Sequence, residues 1–245
     1  MIFYLGTALP IFFKQTNVPL FVSRRQLAKR KSFHQAQNIW ALDSGGFTEL
    51  SMNGFWSITP KQYIKEVELF SKEIGQLSWA ASMDYMCEPF VLKKTGLALQ
   101  IHQERTIDNF IELRTLNPSL PIAPVLQGFQ IHEYFEHLND YMIRGVDLLK
   151  EETVGVGSVC RRQASDEIKD LITKLHSFGM NNLHGFGIKM AGISKIGHLL
   201  KSSDSMAWSW NGRSHKNQCP QGKKNCANCL HYALNWRERL LKKIP

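Results

Sequence analysis

Ile39-Trp40-Ala41-Leu42-Asp43-Ser44-Gly45-Gly46-Phe47 is an apolar run that stops at a carboxylate and then at two glycines. A short apolar run bounded by glycine reads as a buried strand. An aspartate at its end, followed by Gly45 and Gly46, puts a carboxylate where backbone and ligand can approach closely. The stretch defines a unit to look for elsewhere: an apolar strand, a polar or glycine end, then a helix.

That unit recurs along the chain. Candidate strands cover 2–8, 19–23, 39–44, 77–84, 122–127, 153–159, 183–188 and 205–209. Amphipathic stretches lie between several of them. The stretch 60–73 has Thr59 as N-cap and Pro60 at its first position, 97–116 is polar on one face, and 165–178 starts at Ser165 and ends before Gly179. Short buried strands alternating with helices make a parallel sheet, and eight of them close a barrel. The expected fold is α/β, a (β/α)8 TIM-like barrel over residues 1–210. A zinc-binding segment and a basic helix follow over 211–245. In such a barrel the strand ends carrying Asp43, Asp84, Gln127, Gly155 with Gly157, Gly185 with Gly187, and Asp204 meet at one mouth.

The C-terminal segment holds Cys219, Cys226 and Cys229, with His215 before them and His231 after. A Cys-x-x-Cys turn supplies two zinc ligands with little loop to order. The three cysteines with His215 are the expected structural zinc site, and His231 is the alternative fourth ligand. Cys87 and Cys160 are expected to be unligated, with Cys160 a small buried side chain at a strand end.

The 245 residues are 43% hydrophobic and 21% charged, which excludes a disordered chain. No apolar run approaches the roughly 20 residues of a membrane span. The apolar start lacks a basic leader region, so a first strand is expected there and not a signal peptide. The expected compartment is the cytoplasm, where clustered cysteines hold metal more often than disulfides. The net charge is +9, concentrated after Asn211 and around Arg24, Arg25, Lys29, Arg30 and Lys31. Such clusters favour a polyanion, nucleic acid above all.

In order, these segments resemble the tRNA-guanine transglycosylase superfamily. The resemblance rests on Asp43-Ser44-Gly45-Gly46-Phe47, Ser82-Met83-Asp84, Leu126-Gln127-Gly128, Val154-Gly155-Val156-Gly157-Ser158, Leu183-His184-Gly185-Phe186-Gly187 and Ser203-Asp204-Ser205, followed by the cysteines. The zinc segment departs from that family's Cys-x-Cys-x-x-Cys spacing. The segments from His184 to Lys189 and Asp204 to Ser209, with Cys226-Ala227-Asn228-Cys229, look closer to the DpdA branch. Those are DNA transglycosylases of bacteria and phages that insert 7-deazaguanine bases.

The resemblance implies that Asp204 is a nucleophile that holds the sugar carbon and Asp43 the general acid/base. Asp84 and Gln127 would read the polar edges of guanine or of a preQ0-like 7-deazaguanine. Ser44, Gly45, Gly46, Phe47, Gly155, Val156, Gly157, Gly185, Gly187 and Lys189 would complete the base site. Phe47, Met83, Tyr85 or Met206 would wall the ring. Arg161, Arg162 and Arg213 are expected on DNA phosphates. The expected partners are DNA and the free base, with room for accessory proteins or a homo-oligomer, inside a bacterial cell or phage-infected host. Two other readings are an enzyme of the same chemistry acting on tRNA and a zinc-stabilised nucleic-acid-binding protein without activity.

Overall fold

The computed structural model describes residues 1–214 and 225–244. Strands and helices alternate as β1 (Ile2–Thr7), β2 (Leu20–Ser23), α1 (Arg24–Leu27), β3 (Trp40–Asp43), α2 (Gly46–Asn53), α3 (Pro60–Ile74), β4 (Leu77–Ala81), α4 (Pro89–Thr95) and α5 (Leu99–Leu116). Then come β5 (Ile122–Ala123), β6 (Val125–Leu126), α6 (Ile131–Ile143), β7 (Val154–Val156), α7 (Asp166–Ser177), β8 (Leu183–Gly185), α8 (Met190–Ile196), β9 (Ser202–Ser205), α9 (Ala207–Ser214) and α10 (Leu230–Leu241).

All the strand pairs are parallel, in the order β5-β4-β3-β2-β1-β9-β8-β7-β6. The two ends of that order, β5 and β6, are halves of one stretch interrupted at Pro124. Proline has no N–H to give a ladder, but its carbonyl still accepts from Gly155 N at 2.9 Å. The stretch pairs with β4 through its first half and with β7 through its second. The sheet thereby closes around eight strand positions, as the strand spacing predicts.

Side chains alternate across each strand, and the two faces form separate clusters. Phe3, Leu5, Leu20, Val22, Trp40, Leu42, Val154 and Leu183 pack outward in the large core shared with the helices. Tyr4, Phe21, Ala41, Trp79, Ala81, Ala123 and Val125 face inward and fill the barrel, with Phe186 against them. One further step along the inward face reaches Ser23, Asp43 and Gln127. A period of two therefore runs from an apolar floor to a polar mouth.

Two helix starts follow the sequence closely. Thr59 Oγ1 accepts from Gln62 N at 3.2 Å, and α3 buries Tyr63, Ile64, Val67, Phe70 and Ile74 along one stripe. Ser165 Oγ accepts from Ile168 N at 3.3 Å to start α7. The last strand differs from expectation: it is β9, 202–205, and most of 205–209 belongs instead to the turn and start of α9. Ser202-Ser203-Asp204-Ser205 lacks apolar residues, so nothing in its composition announces a strand. Every one of these side chains is nevertheless buried.

The C-terminal helices complete the outer layer. Trp208 Nε1 donates to the Gly6 carbonyl at 2.7 Å, Phe3 and Trp236 rings lie 6.2 Å apart, and Arg237 donates to the Phe3 carbonyl at 3.3 Å. Helix α9 crosses the expected 210/211 boundary without a break. Among the described residues no helix is long and apolar enough to cross a membrane.

The basic cluster at 24–31 is smaller than its sequence suggests. Arg24 is buried between Glu49 and Glu66 at 3.1 and 2.7 Å, and Arg25 bonds Glu49 at 2.6 Å. These charges are spent internally, holding α1 to α2 and α3, which leaves Lys29, Arg30 and Lys31 exposed.

Gly155 shows how tightly the barrel is filled. A β-carbon there would run into the Phe186 ring, which is itself packed on Phe21, Trp79 and His184. Gly155→Ala is expected to lose about 1–3 kcal/mol through overpacking. Urea unfolding should show a lower midpoint with an unchanged slope. Adding Phe186→Leu should recover part of the loss.

Candidate active site

A cavity of about 430 Å³ opens at the C-terminal mouth of the barrel. Asp43, Ser44, Gly46, Phe47, Asp84, Gln127, Gly157, Gly187, Asp204 and Arg161 all line it. Residues more than 160 positions apart in the chain thus share one chamber.

Asp43 sits at the end of β3, in register with Ser23 of β2. Its Oδ1 accepts the Gly45 N–H at 3.1 Å, and the Ser23 side chain also bonds it. Gly45 has φ +82°, a left-handed conformation that glycine adopts freely. Burial pushes the Asp43 carboxyl up. The Gly45 and Ser23 bonds oppose that shift, while the Asp204 charge adds to it. The balance favours a proton on Asp43 more than at an ordinary aspartate.

Asp84 follows β4. Its Oδ1 accepts from Ser44 Oγ at 3.3 Å and its Oδ2 from Gln127 Nε2 at 2.5 Å. A β-carbon on Gly46 would lie 3.1 Å from Asp84 Oδ1, so glycine there allows the start of α2 to close over the carboxylate. Burial pushes the Asp84 carboxyl up to about 7, against the pull of the Gln127 bond, with the charges of Asp43 and Glu88 adding to the rise.

Gln127 is held from behind. Its N–H donates to His137 Nδ1 at 2.9 Å and its carbonyl accepts from Gln103 Nε2 at 2.8 Å. Burial holds His137 down to about 3, so the ring is neutral. The Gln127 bond takes Nδ1 as acceptor, which leaves the proton on Nε2, facing the Gln103 carbonyl at 3.2 Å. Gln127 Oε1 accepts from Ser158 Oγ at 2.7 Å, so its amide is fixed with one N–H on Asp84 and the other without a hydrogen-bond partner among the described residues, open to a ligand.

Asp204 Oδ1 accepts the Gly187 N–H at 2.9 Å and faces His184 Nε2 at 3.3 Å. His184 and Glu88 are, with Ser23, Gln103 and His137, among the polar residues that sequence reasoning missed. Glu88 lines the cavity with its Oε2 2.9 Å from Ser158 Oγ. The signal for His184 was its place between Leu183 and Gly185, an inward strand position where a polar ring needs a partner.

A family model described as DpdA, DeoxyPurine in DNA protein A, matches residues 1–245. The chain belongs to the DpdA family. No curated protein matches it. The family consists of DNA enzymes like the tRNA-guanine transglycosylases, which makes this chain a DNA-modifying transglycosylase in general terms.

The remaining expected residues of this DpdA chain divide into those at the mouth and those away from it. Phe47 and Phe90 are 44% and 38% exposed at the rim, with the Arg161 guanidinium 5.1 and 4.5 Å from their rings. Met206, 42% exposed, lines the cavity with Phe21, Met86 and Phe186. Met83 and Tyr85 are not walls of the cavity: Met83 is in the main core, and Tyr85 packs with Leu50, Met86 and Val91. Cys160 is exposed at the cavity wall and not buried at a strand end.

Gly155, Val156 and Gly185 lie in the sheet and do not line the cavity. The N–H groups of Gly155 and Gly157 are taken by Pro124 and Leu126 carbonyls, both at 2.9 Å. What these glycines provide is space, for Phe186 and for the Gln127 amide respectively. Gly45 shapes the turn from just behind the cavity. Lys189 is exposed at the start of α8 and Arg213 on α9. Arg162 is not free for a phosphate. It pairs with Glu167 at 3.0 Å, stacks 4.1 Å from the Phe129 ring and donates to the Ser158 carbonyl at 3.3 Å.

Of the expected zinc ligands, His215 and Cys219 lie outside the described residues. Cys226 and Cys229 are both buried, and Cys229 N donates to the Cys226 carbonyl at 3.1 Å. That turn fits half of a tetrahedral thiolate site. His231 Nε2 lies 3.0 Å from Asn235 Nδ2 on the exposed side of α10. Among the described residues no group of three metal-binding side chains comes together.

The raised Asp84 value has a consequence for stability. The folded protein keeps a proton on Asp84 that the unfolded chain releases near the ordinary value of 3.8. Wild-type stability contributed by this group therefore falls as pH rises from about 4 to about 7. Asp84→Asn removes that dependence, so its stability relative to wild type should improve across the same window. Denaturant midpoints at several pH values check this.

Proposed function

We propose that the chain exchanges guanine in DNA for a 7-deazaguanine base of the preQ0 type, through a covalent aspartyl–sugar intermediate. The observation that supports this most is the convergence of Asp43, Asp84, Gln127 and Asp204 on one base-sized cavity, in a chain of the DpdA family. Two carboxyl groups around one anomeric carbon, with the pKa of Asp43 raised by burial, suit glycosyl transfer.

Asp204, as carboxylate, attacks C1′ of a deoxyguanosine. The C1′–N9 bond breaks and the base leaves with a proton from Asp43, whose raised pKa favours the acid form. The incoming 7-deazaguanine gives its N9 proton to the Asp43 carboxylate. Its N9 then attacks C1′, the C1′–O bond breaks, and Asp204 is regenerated. Asp84 accepts from N1–H and the exocyclic amine, and the free N–H of Gln127 donates to O6. Groups already buried and paired in this way reject bases that lack matching atoms.

A duplex hides the bond to be broken, so the target nucleotide must be flipped or unpaired. Arg161, Lys189 and Arg213 are the exposed cations for phosphate contacts. Phe47 and Met206 are available to hold the base ring. Zinc, held by Cys226 and Cys229 with His215 and Cys219, would tie the end of α9 to the start of α10. It would take no part in the chemistry.

Asp204→Ala and Asp204→Asn are expected to abolish incorporation of labelled base into DNA, and Asp204→Asn to keep DNA affinity. Asp43→Asn should lower exchange by about 100-fold or more, as loss of a proton-transfer group does. Parallel incubations with DNA and with tRNA decide the substrate: label entering tRNA alone overturns the DNA reading. Wild-type exchange by Asp204→Ala overturns the mechanism.

Freshly purified protein should contain about one zinc per chain. Cys226→Ser should lose it together with stability of the C-terminal helices. Metal analysis that finds no zinc in the wild-type protein removes this part of the proposal.

A further inference from the structure

His184 is fully buried inside the barrel, yet none of the proposed steps uses it. It occupies β8 directly opposite Ser202 of β9. Ser202 and Asp204 are two residues apart and share the inward face of β9. His184 Nδ1 lies 2.9 Å from Ser202 Oγ, and Nε2 lies 3.3 Å from Asp204 Oδ1. One arrangement of a neutral ring satisfies both: the Ser202 hydroxyl donates to Nδ1, and Nε2–H points at the carboxylate.

The ring has little freedom. Trp79, Phe186, Phe21 and Tyr4 surround it, with centroids 4.6, 4.9, 5.5 and 6.1 Å away. An imidazole boxed in by four aromatic rings cannot leave its hydrogen bonds for water. It is therefore a fixed donor from below, just as the Gly187 N–H is a fixed donor at 2.9 Å.

Both donors act on the same oxygen, Oδ1. From this we infer that His184 is a positioning residue: it fixes the plane of the Asp204 carboxylate and leaves Oδ2 as the oxygen that attacks the sugar. The inference rests on the reading of Asp204 as nucleophile. It also assigns an energetic task. A hydrogen bond to a carboxylate is stronger than one to an ester carbonyl. The His184 donor therefore favours release of the carboxylate when the incoming base displaces it.

The test compares His184→Phe and His184→Gln in the full chain. Phenylalanine fills the aromatic box and has no donor, whereas glutamine restores an N–H. Loss of a hydrogen bond to a charged group predicts a 10- to 100-fold lower exchange rate for His184→Phe. KM for the free base and affinity for DNA should stay near wild type. The fraction of enzyme trapped as covalent DNA adduct should rise, because departure of Asp204 slows. His184→Gln should recover a substantial part of the rate.

Wild-type exchange by His184→Phe overturns the inference. So does an equal loss in both variants that follows a fall in thermal stability, which marks a packing role alone. Asp204→Ala serves as the reference. If that variant still exchanges base, the nucleophile reading fails. If it is inactive while His184→Phe is normal, only the positioning role fails.

Discussion

Asp43, Asp84 and Asp204 lie under one rim, and removing them from water is expensive unless each finds donors. The structure meets that cost with hydrogen-bond donors. Asp43 takes the Gly45 N–H and Ser23, Asp84 takes Ser44 and Gln127, and Asp204 takes the Gly187 N–H and His184. Backbone N–H, hydroxyl and amide donors stabilise an anion without cancelling its charge. The carboxylates can therefore still differ in proton affinity, and burial holds both Asp43 and Asp84 above the ordinary aspartate value.

That arrangement needs a rigid support. The inward aromatic layer beneath the site leaves no room for side chains to drift, and Gly155 and Gly157 are small so that Phe186 and the Gln127 amide can occupy the space. Behind Gln127, the neutral His137 and Gln103 fix the main chain from α6 and α5. The network extends two residues deep before it reaches ordinary packing. A site built this way is set by the closure of the barrel more than by any loop.

Charge shows a similar division of labour. Arg24, Arg25 and Arg162 are consumed within the fold by Glu49, Glu66 and Glu167. Arg161 instead stands at the rim against two exposed rings. A cation over aromatic faces next to a base-sized opening suits nucleic acid, which offers both phosphates and flat bases. Net charge alone does not distinguish these arginines.

Alternation of apolar strands with capped helices was enough, in the sequence itself, to call for a parallel barrel, because a period of two and a period of 3.6 are local properties. That Asp43, Asp84 and Gln127 share one cavity was legible because each ends an expected strand, and parallel closure brings such ends together. Asp204 was legible through the resemblance alone, since the expected last strand began after it at 205. The polar strand 202–205 was not legible, since its burial comes from neighbours supplied by the fold and not from its own composition. Nor was the setting of His184, which depends on Ser202 and Asp204 of the adjacent strand and on the Tyr4, Phe21 and Trp79 rings from three other strands. Which arginines remain free was also a tertiary outcome. A guanidinium's partner is chosen by distance in space, and Arg24 meets Glu66 only once α3 has packed onto the sheet.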